Sequence, residues 1–150
     1  MSFNIYNSIT KKIERFNPIE KKKVSLYTCG PTVYDYSHIG NFRTFLFEDL
    51  LKRWLIHLGY DVKHIMNITD IDDKTIEKAN KKGVSLKKIT HKYTEVFFND
   101  LKWLKLIPAS SFPRATNYID EIIIIIQKLI KKKYAYLDDS GSVYFDIGTQ

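Results

Sequence analysis

A strand that ends in a Cys-Gly-Pro turn, then a loop, a helix and a second strand follow one another within residues 24–68, and few folds accept that order. Val24-Ser25-Leu26-Tyr27-Thr28 is a β-prone run, and Cys29-Gly30-Pro31 stops it. Thr32 to Gly40 reads as a loop carrying Tyr34, Asp35, Tyr36 and His38. From Asn41 the period becomes helical: Phe42, Phe45, Leu46, Leu50, Trp54 and Leu58 recur on one face, and Gly59 is a C-terminal stop. A second β-prone run, Val62 to Ile68, ends at Thr69-Asp70. Strand, helix, strand in this order predicts an α/β fold with a doubly wound parallel sheet.

Beyond Asp70-Ile71-Asp72-Asp73, a short helix is expected from Asp73, as its cap, to Lys82, with Gly83 as stop. Ser85 caps a longer helix, Leu86 to Lys105, whose Ile89, Tyr93, Phe97, Leu101 and Leu104 share a face. Pro108 to Pro113 reads as a linker. Thr116 to Lys133 is assigned as helix despite its run Ile122 to Ile126, because Asp120 and Glu121 precede the run and Lys128, Lys131, Lys132 and Lys133 follow it. Asp138-Asp139-Ser140-Gly141 between Tyr-rich segments marks a hairpin, and Glu14 to Lys23 reads as charged loop or edge. Two parallel strands do not complete a sandwiched sheet, so the chain reads as the front part of a larger molecule.

The balance of 24 Lys+Arg against 17 Asp+Glu gives a net charge of +7, which suits an anionic partner such as nucleic acid or a nucleotide. One cysteine, Cys29, forms no internal disulfide and excludes a secreted disulfide framework. The first residues lack signal-peptide features, and the longest apolar run falls far short of the ~20 residues that cross a bilayer. A cytoplasmic protein without a membrane partner is expected.

The segment Thr28 to Asn41 leaves a strand and enters a helix, at the sheet edge where α/β folds bind ligands. The helix start offers free backbone N–H groups and partial positive charge suited to a phosphate. Gly40 would let a base or phosphate approach the backbone, and His38 could donate to a phosphoryl oxygen as charge builds on it. The alternative at this stage is a loop histidine and a glycine with local packing roles only. Asp70, Asp72 and Asp73 are read as helix capping and solvated charge in preference to a metal site. His57, His64 and His91 are read as surface or packed residues.

His38-Ile39-Gly40-Asn41 resembles the His-Ile-Gly-His motif of class I aminoacyl-tRNA synthetases. Tyr27 to Asp35, Asn67 to Lys74, Pro113-Arg114-Ala115-Thr116 and Gly141 to Asp146 resemble, in order, further hallmarks of the cysteinyl-tRNA synthetase family. The resemblance runs from about Ile5 to the end of the chain and implies several expectations. Residues 1–95 would be the first half of a Rossmann-like catalytic domain, and 96–150 the incomplete start of an inserted α+β connective domain. In a full-length protein, L-cysteine and ATP would give cysteinyl-adenylate and pyrophosphate, and cysteine would pass to tRNA(Cys). Cys29 would be one ligand of a Zn2+ that holds the substrate thiolate, with the remaining ligands beyond Gln150. A borderline-soft metal prefers a thiolate to the harder serine hydroxyl. Cys29, Gly30 and Thr69 would contact cysteine, and Thr32, His38, Gly40 and Asn41 would surround ATP. Asn41 replaces the second histidine of the motif; an amide still donates a hydrogen bond but does not titrate. His38 and Asn41 would be the catalytic pair, with Mg2+ accompanying ATP, in a monomer.

The Lys-Met-Ser-Lys-Ser loop of class I enzymes is absent from these residues. The 150 residues alone are therefore expected to be catalytically silent. Two other readings stay open here: a cysteine ligase of the mycothiol-biosynthesis type, and a non-catalytic nucleic-acid-binding module on the same fold.

Overall fold

A computed structural model describes residues 3–149, which divide into two compact units at Pro113/Arg114. In the first unit, β3 (Lys23–Thr28) and β4 (Asp61–Met66) pair in parallel, with Lys23 opposite Asp61 and Thr28 opposite Met66. The crossover between them is α1 (Ile39–His57). Pairing continues past the strand ends, where Thr32 bridges Thr69. There the Thr69 N–H donates to Pro31 O at 3.0 Å, and the Val33 N–H to Thr69 O at 3.1 Å.

The expected linker, residues 108–113, is instead a second neighbour of β4. Ser110 N–H donates to His64 O (2.7 Å), Met66 N–H to Ser111 O (3.1 Å) and Ile68 N–H to Pro113 O (2.8 Å). Pro108 and Pro113 lie at its ends, where no proline N–H is asked to donate.

The core joins Val33, Met66 and Ile68 of the sheet region to Phe45 of α1, Ala79 of α2 (Asp73–Lys81) and Ile89, Tyr93, Phe97 and Leu101 of α3 (Leu86–Trp103). Phe97 meets Phe45 edge-on, with ring centroids 5.2 Å apart. A side chain buried as fully as Phe97 contributes about 1.5–3 kcal/mol. Ser85 caps α3 as expected, through its side chain and the Lys88 N–H. Leu104, the last residue expected on the inner face, is exposed beyond the helix end. Val96 falls within α3, between the core residues Tyr93 and Phe97.

The inner face of α1 differs from the expected stripe. Phe45, Glu48, Lys52 and Leu55 are buried, whereas Leu46, Leu50 and Trp54 are exposed. The helix is held in this rotation partly by a polar partner: Lys52 Nζ donates to Pro108 O at 2.7 Å. The cap of α2 is Asp72, not Asp73. Asp72 is extended (φ −164°) and accepts from Thr75 N–H at 2.8 Å, while Thr75 Oγ1 accepts from Asp72 N–H at 2.8 Å. Asp73, one residue later, already belongs to the first turn. Asp70 is buried, contrary to the solvated reading of the acidic cluster.

An antiparallel hairpin that the sequence did not announce, β1 (Asn4–Asn7) with β2 (Lys12–Arg15), begins the described chain and takes in Glu14 and Arg15 of the expected charged loop. Glu14 ties its turn, accepting from Asn7 Nδ2 at 3.1 Å and from the Thr10 hydroxyl. Four lysines, Lys11, Lys22, Lys105 and Lys133, adopt left-handed backbone with φ between 55° and 63°.

In the second unit a 3-10 turn, Ala115–Tyr118, leads into α4 (Ile119–Lys131), so the α-helix starts later than Thr116. The isoleucine run is helical, as its flanking charges predicted. The hairpin of β5 (Ala135–Leu137) and β6 (Val143–Phe145) turns at Asp138, whose carboxylate accepts from Ser140 N–H (3.0 Å) and Ser142 N–H (2.8 Å).

Candidate active site

The end of β3 and the start of α1 enclose a cleft of about 420 Å³. Cys29, Gly30, Thr32, His38 and Asn41 all line it, together with Tyr34, Asp35, Tyr36, Ser37, Thr44 and Lys74. Thr69 stands behind it, bound through its backbone to Pro31 and Val33, and its Oγ1 accepts from Asn67 Nδ2 at 3.0 Å. Gly40 lies in the first turn of α1 under the His38 ring. Of the residues expected to contact cysteine or ATP, Thr69 and Gly40 stay off the cleft wall itself.

At the β3 end, Thr28 is buried and Cys29 is exposed, as the alternation of a strand requires. Gly30 N–H donates to Asn67 Oδ1 at 3.0 Å, and this turn leaves no room for a side chain at Gly30. The close approach brings the loop hard against the segment that follows β4.

At the α1 end, His38 is the N-cap. Its Nδ1 accepts from Gly40 N–H at 3.0 Å, and its own N–H donates to Asn41 Oδ1 at 3.1 Å. Because Nδ1 accepts, the neutral ring carries its proton on Nε2, which is left to donate. Asn41 spends its oxygen on the cap and keeps its amide N–H groups. A Cβ at position 40 would lie 2.8 Å from His38 Cε1, so this glycine makes room for the histidine of its own motif. No acidic residue occupies the first turn of α1, so the positive end of the helix is not neutralised there.

Lys74, from the first turn of α2, adds a cation to the cleft and lies over the Tyr34 ring at 5.6 Å. In the sequence Lys74 stands out only as the end of a motif; its place one turn into a helix capped by Asp72 is the signal that could have found it. Asp35 is paired with Lys78, and that hydrogen bond, followed by the one from Tyr36 N–H, holds its carboxyl below the usual range.

Beneath the cleft lies a buried polar cluster that the sequence patterns do not reveal. His64 Nε2 and Thr28 Oγ1 are 2.9 Å apart, and Glu48 is buried nearby. Burial, and Lys52 nearby, hold the His64 imidazole below its ordinary value, whereas burial raises the Glu48 carboxyl despite the Thr28 hydroxyl. Glu48 Oε2 and His64 Nδ1 carry no hydrogen bond. A buried group left so costs about 1–3 kcal/mol. His57 and His91 are exposed, and His57 stacks on Trp54 at 5.4 Å.

Among the described residues no three or more His, Cys, Asp or Glu side chains gather where they could hold a metal ion. Cys29 is therefore a single thiol, and the residues present do not by themselves fit a zinc centre. No helix among the described residues is long and apolar enough to cross a membrane.

Comparison with known proteins gives the family. Residues 15–150 match the family model described as tRNA synthetases class I (C) catalytic domain. The chain belongs to that family of class I synthetase domains. Its curated relatives are named cysteine–tRNA ligase: one from Chlamydia trachomatis serovar D is 54% identical over 98% of this chain, and one from Methanococcus maripaludis 46% identical over 95%. The chain spans 31% and 30% of the length of these two relatives. A crystal structure of a ternary complex of Agrobacterium radiobacter K84 agnB2 LeuRS with tRNA and LeuAMS superposes with a TM-score of 0.68 at 23% identity. That match covers 82% of this chain and 16% of the other, and it shows a shared fold.

Proposed function

We propose that this chain forms the amino-acid-activating front of a cysteine–tRNA ligase. A protein of the family's length would join L-cysteine to ATP as cysteinyl-adenylate, release pyrophosphate, and pass cysteine to tRNA(Cys). The single observation that carries the reading is the cleft lined by Cys29 together with His38 at the α1 N-terminus. The names of the relatives support it and favour neither a mycothiol-type ligase nor a non-catalytic module.

In this reading Cys29, Gly30 and Thr69 hold cysteine, Thr69 by setting the wall through Asn67 and Pro31. Thr32, His38, Gly40 and Asn41 hold ATP. The cysteine carboxylate attacks the α-phosphorus, the bond to pyrophosphate breaks, and negative charge builds on the phosphoryl oxygens. His38 Nε2–H and the amide of Asn41 donate to that charge, and the uncompensated helix end reinforces them. Mg2+ accompanies ATP. Zinc, with Cys29 as one ligand and the others from outside these residues, belongs to the same proposal. The protein would act as a cytoplasmic monomer.

Cysteine-dependent exchange of labelled pyrophosphate into ATP, followed by charging of tRNA, tests the reading on a protein of the family's length. A folded, metal-replete protein that exchanges nothing with cysteine overturns it.

A further inference from the structure

We propose that Thr28 and His64 are positioning residues for Cys29, acting through the buried hydrogen bond that joins the end of β3 to β4. The inference deepens the proposed function and rests on it only for its enzymatic arm.

Three observations on separate elements converge. Thr28 is the last residue of β3, and its side chain is buried on the side that α1 covers. His64 Nε2 of β4 lies 2.9 Å from its oxygen, and Glu48 of α1 is buried close enough for that hydroxyl to lower its carboxyl. Cys29 follows directly and is exposed at the cleft. Successive strand side chains point to opposite faces, so whatever fixes Thr28 inward fixes Cys29 outward.

Whichever of the two atoms carries the shared hydrogen, the bond between His64 Nε2 and the Thr28 hydroxyl ties the last residue of β3 to β4. Burial holds the imidazole below its ordinary value, so the bond is one between neutral groups in the interior. Glu48 Oε2 and His64 Nδ1 are left without hydrogen bonds in the interior. Apolar side chains would fill this space without leaving such atoms, so packing alone does not account for the set. Orientation of the neighbouring thiol does. On the far side of Cys29, the Gly30–Asn67 hydrogen bond fixes the turn, so the cysteine backbone is held at both ends.

Two pairs of variants test the assignment. Thr28→Val keeps the shape and removes the hydroxyl, whereas Thr28→Ser restores it. His64→Leu removes the hydrogen-bond partner, and His64→Gln supplies a side-chain amide near the position of Nε2. In the 150-residue chain, Cys29 is the sole cysteine, so its alkylation rate in the native state reads its placement directly. T28V and H64L are expected to change that rate, while T28S and H64Q keep it. In a protein of the family's length, T28V is expected to lower kcat/KM for cysteine on the order of 10–100-fold while the KM for ATP holds.

A T28V chain that folds and alkylates at the wild-type rate overturns the proposal. If T28V does not fold, the H64L and H64Q pair decides in the same way: equal rates overturn it, and separated rates support it. A wild-type enzyme without cysteine-dependent exchange would defeat the ligase reading instead and leave the alkylation result standing.

Discussion

Gly30 and Asn67 are in such close contact that a Cβ at position 30 would lie 1.7 Å from the Asn67 carbonyl oxygen, while the Asn67 side chain accepts the Gly30 N–H at 3.0 Å. The obstacle is backbone, which does not rotate away as a side chain can. Gly30→Ala is therefore expected to destabilise the chain by about 1–3 kcal/mol. Gly40→Ala meets only the His38 ring, and turning that ring loses one cap, worth about 1 kcal/mol. Thermal melting of the two variants checks the order; a Gly30→Ala chain as stable as Gly40→Ala contradicts it.

His38 has two duties that one pair of substitutions separates. His38→Ala loses the cap of α1 and the Nε2 donor together, whereas His38→Asn keeps a good capping residue without the donor. Melting is expected to recover in the asparagine variant. Adenylate formation is not, with kcat down roughly 10²–10³-fold in both, as for other donors to developing charge. Recovery of kcat by asparagine would assign His38 to the cap alone.

Cys29→Ser is expected to leave stability within about 0.5 kcal/mol, because the thiol is exposed and lies outside the core cluster. Cysteine-dependent pyrophosphate exchange in a protein of the family's length should disappear. Normal exchange with the serine variant would remove Cys29 from the proposed site.

The buried His64 and Glu48 give opposite pH signatures. The folded His64 titrates below its ordinary 6.5, so the unfolded chain binds more protons just below that pH. Stability therefore rises with pH in that window and is lost as pH falls below 6.5. Glu48 titrates above its ordinary 4.5 when folded, so its protonated form is favoured there and stability falls as pH rises through the window above 4.5. Relative to wild type, His64→Gln is expected to lose less stability between neutral and mildly acid pH, and Glu48→Gln to lose less as pH rises from 4.5. Urea melts across that range read both slopes; parallel curves for all three proteins would refute the assignment.

The parallel strand–helix–strand unit was legible because Val24–Thr28 and Val62–Ile68 stop at recognisable turns and Gly59 ends the helix, at φ +83°. The rotation of α1 was not legible. Hydrophobic periodicity sees Leu46, Leu50 and Trp54, yet Glu48 and Lys52 are buried, and Lys52 finds its partner in the Pro108 carbonyl. The N-terminal hairpin escaped notice because a lysine, Lys11, occupies the left-handed backbone position that glycine or asparagine usually advertises. Residues 108–113 escaped for the complementary reason, since prolines mark breaks in a sequence even where the backbone between them pairs with a neighbour. At the site, the Cys29 and His38 segments were visible as motifs. Thr28, Glu48 and His64 were not, since their relation exists only once three elements are packed together.

The four left-handed lysines are points at which this chain can be hardened. For a residue with a Cβ, left-handed backbone costs roughly 1–2 kcal/mol, and asparagine tolerates it better than lysine. Lys11, Lys22, Lys105 and Lys133 lie at turns or past helix ends, and none lines the cleft. Each is a place where thermostability can be raised by one substitution without touching the proposed chemistry.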